Sequence, residues 1–211
     1  LTMDVFLSLA DNVMLGCYGI ALQQSTNNSV ADNSFVDCPK GVRILSTSCY
    51  NTVENNGISG SRYIGIELTE DSNHNQIVSN NLVDNGVGAE LVNSSSNVVH
   101  HNGFIDNVVL ISSRSEDEPN FFDNGIEGNY WSNYATVYPN AEETANSGTA
   151  DTPYVICANN TDNHPLTEPY NITDSTLPAA EQPPLAEDNV VSLWHFDEAE
   201  PNLITPDEKG L

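Results

Sequence analysis

The segment that decides the fold is NTVENNGI, which begins at Asn51 and recurs along the chain. Related segments combine two asparagines, one Val or Ile and a final large apolar residue: NSVADNSF from Asn28, NQIVSNNL from Asn75, NVVHHNGF from Asn97 and NGIEGNYW from Asn124. Their starts are 23, 24, 22 and 27 residues apart. Self-similarity at such a period predicts a repeat architecture, in which each repeat is one structural unit.

A second recurring segment contains apolar residues after a glycine. It occurs as GIAL from Gly19, GVRI from Gly41, GIEL from Gly65 and GAEL from Gly88, and NVVL from Asn107 is its expected fifth copy. Apolar residues alternate within these short segments, which is the period of a β-strand. Short strands that return about every 23 residues predict an all-β solenoid whose equivalent strands stack in parallel, about 4.8 Å apart.

The repeat register predicts columns of inward side chains. The apolar columns are Ile20, Val42, Ile66 and Ala89; Leu22, Ile44, Leu68 and Leu91; Val30, Val53, Ile77, Val98 or Val99 and Ile126; and Phe35, Ile58, Leu82, Phe104 and Trp131. The asparagine columns are Asn28, Asn51, Asn75, Asn97 and Asn124, and Asn33, Asn56, Asn80, Asn102 and Asn129. Stacked amides can hydrogen-bond from coil to coil, so we expect a structural role for them.

The composition and net charge argue against two classes of binding partner. The 211 residues include 28 Asn and carry 30 Asp plus Glu against 5 Lys plus Arg, a formal charge of -25. This charge repels nucleic acids and anionic lipid surfaces, so neither is an expected partner. No apolar run reaches the roughly 18 residues of a membrane span, so none is predicted. The opening LTMDVFLSLA indicates an excised or processed segment.

Three motifs near residue 150 carry a family resemblance. GNYWSNY at Gly128–Tyr134, DTPYVI at Asp151–Ile156 and DNHPL at Asp162–Leu166 resemble the closing sequence of NosD-like right-handed parallel β-helices, and the resemblance covers residues 12–170. That group includes a periplasmic accessory protein of nitrous-oxide reductase maturation and many bacterial and archaeal surface proteins. Its members share the carbohydrate-binding and sugar-hydrolysis repeat of pectate-lyase-like proteins. The resemblance implies a right-handed, single-stranded parallel β-helix.

A solenoid must cover its last apolar cross-section. The residues suited to a C-terminal aromatic cap are Tyr130, Trp131, Tyr134, Tyr138 and Tyr154, and an alternative role for them is a sugar-stacking platform. We therefore predict β-helix coils over residues 1–127 and their cap over residues 128–170. A linker rich in Pro, Ala and acidic residues is expected over residues 171–188. LWHFDE at Leu193–Glu198 resembles the first strand of a concanavalin-like (laminin-G) jelly roll, predicted over residues 189–211.

One outer face is a candidate active or glycan-binding site. Glu67 is expected to stack between Arg43 and Glu90, and a second column contains Asp84 and Asp106. Glycosidic cleavage needs two carboxyl groups about 5–10 Å apart, so Glu67, Glu90, Asp84 and Asp106 are catalytic candidates. Arg43, Glu67 and Glu90 are candidates for glycan binding, and the same acids could hold calcium. The alternative is a solvated face with partial ion pairing.

The cysteines and sequons bear on localisation. Cys17 and Cys38 lie about one coil apart and could form a disulfide, which leaves Cys49 with Cys157, unless all four remain thiols. Asn27, Asn93, Asn159 and Asn171 begin Asn-x-Ser/Thr sequons, which suit an exported glycoprotein.

We therefore expect a non-enzymatic structural or adhesive module of an extracellular or cell-surface protein, with the periplasm as the alternative location. Its expected partners are a polysaccharide or surface glycan, other domains of the same protein, and further copies stacked end to end into a fibre. No cofactor other than calcium is expected.

One alternative function is that of a polysaccharide lyase or hydrolase. The other is a periplasmic copper accessory protein, for which the resemblance makes His100 and His101 the candidate ligands, although no His/Met/Cys cluster with ligand spacing supports it.

Overall fold

The computed structural model describes residues 7–114 and 118–170. The described strands, in chain order, are β1 (Ser8–Ala10), β2 (Val13–Leu15), β3 (Ile20–Gln23), β4 (Ser29–Ala31), β5 (Ser34–Val36), β6 (Lys40–Leu45), β7 (Thr52–Glu54), β8 (Gly57–Ser59), β9 (Ile64–Leu68), β10 (Gln76–Val78), β11 (Asn81–Val83), β12 (Val87–Val92), β13 (Val98–His100), β14 (Gly103–Ile105), β15 (Val109–Arg114), β16 (Tyr130–Trp131), β17 (Tyr154–Cys157) and β18 (Asn160–Asp162). One short helix, α1 (Tyr134–Val137), follows β16.

The strands form three parallel sheets that share one solenoid. Sheet A has the order β1-β4-β7-β10-β13, sheet B has the order β2-β5-β8-β11-β14-β16, and sheet C has the order β3-β6-β9-β12-β15. Each coil passes through A, B and C in turn, so the described residues make five full coils. The parallel β-helix predicted from the repeat is therefore confirmed.

Two asparagine ladders run through the interior and satisfy the turns between strands. At Asn56, the side-chain Oδ1 accepts hydrogen bonds from the backbone N–H (3.0 Å) and the amide Nδ2 (3.1 Å) of Asn33, one coil earlier. Its own Nδ2 donates to the Oδ1 of Asn80, one coil later, and to the carbonyl oxygens of Val30 and Glu54. Each rung thus binds two neighbouring coils together at a buried corner, where an unpaired backbone group would be costly.

The partial sixth turn, which follows the five full coils, differs from the sequence-based register. We predicted Asn124 and Ile126 as inward rungs, and that is wrong: Asn120 accepts the hydrogen bond from the backbone N–H of Asn97, and Phe122 is buried while Ile126 is 75% exposed. Residues 123–128 form an inserted loop, which accounts for the long spacing of 27.

The fifth copy of the glycine segment was also misplaced. Strand register aligns Ala89 with Ile111 and Leu91 with Ser113, so this copy starts at Leu110 and not at Asn107. Asn107 instead belongs to a third, shorter ladder, in which its Oδ1 accepts from the backbone N–H and Nδ2 of Asn85 at 2.9 Å each.

The hairpin β17–β18 closes both long ladders. The Oδ1 of Asn160 accepts from the backbone N–H of Asn120, and the Oδ2 of Asp162 accepts from the backbone N–H of Asn129 and from the indole Nε1 of Trp131. Asp162 is fully buried, and this burial raises its pKa to about 6 although these hydrogen bonds act to lower it. An aspartate suits this last position because only N–H donors converge on it.

Aromatic rings complete the closure. Trp131 stacks between Phe104 (ring centroids 4.6 Å apart) and Tyr154 (4.3 Å apart), with the three rings nearly parallel. Tyr134 and Tyr138 pack against the same core, and Tyr130 is half-buried beside it. The aromatic cap predicted at the C-terminal side is present, and Trp131 and Tyr154 are buried within it, so their faces are not available for a sugar.

Within the described ranges, no helix has the length and apolar character needed to cross a bilayer. The predicted linker over residues 171–188 and the predicted jelly-roll strand over residues 189–211 lie outside the described residues, as does Asn171.

Candidate functional site

The outer face of sheet C carries a column of varied side chains in strict register. Ala21 in β3, Arg43 in β6, Glu67 in β9, Glu90 in β12 and Ser112 in β15 are successive partners. Neighbours in such a ladder lie about 4.8 Å apart, so each side chain reaches the next. The face therefore brings Arg43, Glu67 and Glu90 together in the predicted order.

Glu67 is the centre of an ion-pair cluster. Lys40 Nζ donates to both of its carboxylate oxygens, at 2.8 and 2.9 Å, and Arg43 Nε donates to Oε2 at 3.0 Å. The side chain of Glu67 is only 10% exposed, compared with 28% for Lys40 and 34% for Arg43. The cations thus cover the carboxylate and remain accessible themselves. Sequence analysis missed Lys40, because it belongs to a different column and reaches Glu67 diagonally.

The four predicted catalytic carboxylates do not share one location. Glu67 and Glu90 lie on the face of sheet C, whereas Asp84 and Asp106 occupy the corner where sheet B ends, in left-handed turns with φ of 53° and 51°. Aspartate tolerates this conformation better than most residues, which gives Asp84 and Asp106 a local structural reason to be there. Both carboxylate oxygens of Glu67 already accept hydrogen bonds, from Lys40 and Arg43.

Basic side chains concentrate at sheet C. Of the chain's 5 Lys and Arg, four lie in the described ranges: Lys40 and Arg43 in β6, Arg62 two residues before β9, and Arg114 at the end of β15. All four belong to sheet C or to the turn that enters it. In a chain with 30 acidic residues, the described strands of sheet C carry three basic side chains and only two acidic ones, Glu67 and Glu90.

Two exposed tyrosines lie where strands of sheet C begin. Tyr18 precedes β3 and is 82% exposed, and Tyr63 directly precedes β9 and is 51% exposed. The guanidinium carbon of Arg62 lies 5.5 Å from the centroid of the Tyr63 ring, within range of a cation–π contact. Aromatic rings beside a polar hydrogen-bonding cluster are the usual lining of a small-molecule or sugar site.

The two candidate metal ligands, His100 and His101, lie at a different corner. Their rings meet edge to face at 4.6 Å, and His101 is engaged on both sides, by Glu127 (Nε2 to Oε2, 2.8 Å) and by the stacked ring of Tyr170 (4.1 Å). The buried Nδ1 of His100 has no hydrogen-bond partner, and burial lowers the pKa of this imidazole. Over residues 7–114 and 118–170, no three His, Cys, Asp or Glu side chains are arranged to hold a metal ion.

The cysteines fall into one close pair and two separate thiols. The sulfur atoms of Cys17 and Cys38 are 3.5 Å apart. The Sγ of Cys49 instead lies near the carbonyl oxygens of Thr47 and Asp71, and that of Cys157 lies near Nδ2 of Asn160. The structure thus brings the first predicted pair together and leaves the second at two different sites.

The described sequon asparagines are accessible. Asn27, Asn93 and Asn159 are all exposed, and each directly precedes a buried residue, the first two between strands of the coils and Asn159 in the turn between β17 and β18. Their glycosylation remains a prediction.

Comparison with known proteins gave one family and one kind of structural neighbour. Curated proteins gave no significant match. Two crystal structures of the periplasmic alginate epimerase AlgG, one of them a double mutant, are 25% identical to this chain, with TM-scores of 0.46 and 0.45. They match 48% and 47% of this chain, which spans about a quarter (25%) of the length of each.

The family comparison covers more of the molecule. The family model described as periplasmic copper-binding protein (NosD) matches residues 5–136, a range that contains all five described coils and therefore every described strand of sheet C. The chain belongs to the NosD family.

Proposed function

We propose that this solenoid is a non-enzymatic glycan-binding module and that the outer face of sheet C holds the carbohydrate. The observation that carries the proposal is that four basic side chains and two exposed tyrosines lie in sheet C or in the turns that enter it, in an acidic chain. Each part of that arrangement has a role in sugar recognition.

The ion-pair cluster supplies hydrogen bonds in a fixed geometry. Sugar hydroxyls both donate and accept, so they bind best where donors and acceptors lie side by side. Lys40 and Arg43 hold Glu67 from two directions, which fixes the carboxylate, and Arg43 presents the planar fork of donors that the guanidinium group provides. Glu90, one coil further on, adds an acceptor in the same column.

The tyrosines supply the apolar part of the site. Tyr18 and Lys40 hold equivalent positions in successive coils, since each lies two residues before paired Ile20 and Val42. Tyr63 lies beside Arg62 at the start of the next coil's strand. Exposed rings next to charged groups can stack against the apolar face of a sugar ring.

Copper is the metal that the family description names, and the candidate histidines do not fit it. Glu127 and Tyr170 already occupy the surroundings of His101, and His100 presents its buried Nδ1 to no other ligand. A copper site usually needs several His, Cys or Met ligands at suitable spacing, and the described ranges bring no three His, Cys, Asp or Glu side chains together for a metal. We therefore derive no function through copper.

The family description supports a location outside the cytoplasm. NosD itself is described as periplasmic. We infer that this chain acts in the periplasm or at the cell surface, where it would meet polysaccharides and where accessible sequons could be modified. The stack of coils would hold the residues of the binding face at fixed distances from one another.

The test is retention of the full chain on neutral and acidic polysaccharides, with and without calcium, while released oligosaccharides are measured. We expect retention without product release, and an at least tenfold loss of affinity in Tyr63→Ala and in Arg43→Ala. Tyr50→Ala is the matched control, because Tyr50 is similarly exposed (60%) but stacks on His74 at another corner.

Three outcomes would contradict the proposal. Release of products would make the chain an enzyme, and Glu67→Gln would then show whether this face does the chemistry. Equal loss in Tyr50→Ala and Tyr63→Ala would remove sheet C as the site. Absence of retention on every polysaccharide would leave the assembly role predicted from the repeat as the stronger hypothesis, tested by electron microscopy of concentrated protein for fibres.

A further inference from the structure

Cys17 and Cys38 hold equivalent positions in the first two coils. Each lies two residues after a strand of sheet B, Cys17 after β2 and Cys38 after β5, and these strands pair with Leu15 opposite Val36. The ladder continues to the next residue, since the N–H of Gly16 donates to the carbonyl oxygen of Val36 at 2.9 Å. In-register parallel neighbours have Cα atoms about 4.8 Å apart, inside the range that a disulfide spans.

The side chains point at each other as well. Their sulfur atoms are 3.5 Å apart, so closure to the S–S bond length of about 2.05 Å needs only small side-chain rotations. Cys38 is fully buried and Cys17 is exposed, so one sulfur is held in place while the other is open to a reagent.

Later coils show what this corner requires. The same position is occupied by Ser61, Asn85 and Asn107, and here the coils are joined by hydrogen bonds: Ser61 N–H donates to Asn85 Oδ1 at 2.8 Å, and Asn85 donates to Asn107 Oδ1. The first two coils have thiols instead, and a thiol is a weak hydrogen-bonding group. A covalent bond would restore the connection between coils that the third ladder provides elsewhere.

The first described coil pairs with described strands on one side only. β1, β2 and β3 are the terminal strands of sheets A, B and C within the described part of the chain, so each pairs with a described strand on one side only. Edge strands open more readily than central ones.

We propose that Cys17 and Cys38 form a disulfide that locks the first coil of the solenoid to the second. The step is thiol–disulfide exchange with an oxidised dithiol protein or a small-molecule disulfide. The Cys17 thiolate attacks one sulfur of the oxidant, which expels one thiolate and leaves a mixed disulfide between Cys17 and the rest of the oxidant. The Cys38 thiolate then attacks Cys17 Sγ and expels that remaining part of the oxidant as a second thiolate. The two protons lost by the cysteines go to these two thiolates, so the oxidant is reduced to two thiols.

The order of attack follows from burial. Burial raises the pKa of the Cys38 thiol, and a hydrogen bond with Cys17 adds to this effect. Cys38 is therefore the poorer thiolate in the reduced protein, and exposed Cys17 meets the oxidant first.

The experiment treats the reduced full chain with oxidised glutathione, blocks free thiols with iodoacetamide, and maps the peptides by mass spectrometry. We expect a peptide that joins Cys17 to Cys38, with Cys49 and Cys157 alkylated. Hydrogen exchange at the amides of β2 and β3 should be at least about tenfold slower in the oxidised protein than in the reduced one, with no change in β11 and β12.

Cys17→Ser tests the link without disturbing the core, because Cys17 is exposed, and Cys49→Ser is the matched control. Exchange in β2 and β3 of oxidised Cys17→Ser should equal that of the reduced natural chain, whereas oxidised Cys49→Ser should retain the slow exchange. Alkylation of both Cys17 and Cys38 after oxidation, or a stable glutathione adduct on Cys17, would overturn the proposal. A cross-link that leaves the exchange of β2 unchanged would overturn the locking role.

Discussion

Neighbouring columns of residues in sheet C differ in how much the residue type varies from coil to coil. The inward column of sheet C reads Leu22, Ile44, Leu68 and Leu91, whereas the outward column next to it reads Ala21, Arg43, Glu67 and Glu90. The inward residues are interchangeable aliphatic side chains, and the outward ones differ in charge from coil to coil. Alternation along a strand thus separates the residues that specify the fold from those free to form a binding surface.

The difference predicts that inward substitutions change the stability of the fold and that outward ones change binding. Substitutions at four places in the molecule test this difference.

The corrected register of the partial sixth turn gives the largest expected contrast. Phe122→Ala should lower the free energy of unfolding by about 4 kcal/mol, because the loss of its fully buried ring leaves a cavity in the core. Ile126→Ala, at the exposed position first expected to be inward, should change it by less than about 0.5 kcal/mol. Urea unfolding measures both, and the reverse order would restore the register expected from sequence.

Substitution of an asparagine in the ladder should have the second-largest effect on the free energy of unfolding. Asn80→Ala removes the side-chain amide that accepts from Asn56 and donates to the carbonyl oxygens of Val53 and Val78. Buried groups are left unpaired, so we expect a loss of about 3 kcal/mol in the free energy of unfolding.

The adjacent Asn81→Ala is the control for this prediction. Asn81 is only half-buried, in β11, and its substitution should cost less than about 0.5 kcal/mol in the same urea experiment. Equal effects of the two variants would show that the ladder has no special energetic role.

Asp162 predicts a pH dependence at the cap. Its pKa is raised from 3.8 to about 6, so its contribution to stability is fully present below pH 3.8 and is lost as pH rises through 6. Between pH 4 and pH 7, the stability of the natural chain should fall by about 2 kcal/mol relative to Asp162→Asn, which lacks this titration.

Thermal or urea unfolding of both proteins across this pH range measures the effect. The comparison cancels the titration of the remaining acids, which the two proteins share. A difference that is constant with pH, or that rises, would contradict the direction assigned to Asp162.

The smallest expected effect concerns the outer face. Glu67→Gln leaves Lys40 and Arg43 without their carboxylate, and we expect a loss of about 1 kcal/mol in unfolding free energy, because both cations stay partly solvated. Glu90→Gln, in the next coil, should be within about 0.5 kcal/mol of the natural chain. A loss near 4 kcal/mol in Glu67→Gln would show that this cluster supports the fold as strongly as the interior does.

The sequence predicted most of the solenoid because identical turns need identical residues. The spacing of Asn28, Asn51, Asn75 and Asn97 was enough to place four coils and their inward columns in register. The prediction failed at Asn124, where the inserted loop carries a second Asn-x-Ile pattern that resembles the repeat but does not point inward. A sequence pattern cannot distinguish a rung from a chance match when the spacing itself changes.

The candidate site was predicted only in part. The column Arg43, Glu67 and Glu90 follows from alternation and was found. Lys40 and the grouping of Arg62 with Tyr63 were missed, because coil three contains one extra residue between its sheet B and sheet C strands and because a long side chain can reach diagonally to the next coil. Asp84 and Asp106 were grouped with the glutamates, although they belong to another corner of the coil.

By itself, the sequence determined that this protein is a parallel solenoid with amide ladders and an aromatic cap. Period, alternation and turn residues are local properties, and they repeat often enough to exclude other folds. The folded chain was needed to show that Asn120 replaces Asn124, that Asp162 ends a ladder, that Lys40 joins Glu67 and that the sulfur atoms of Cys17 and Cys38 meet. These contacts join residues more than 20 positions apart, and their geometry depends on the exact length of each turn between stacked strands.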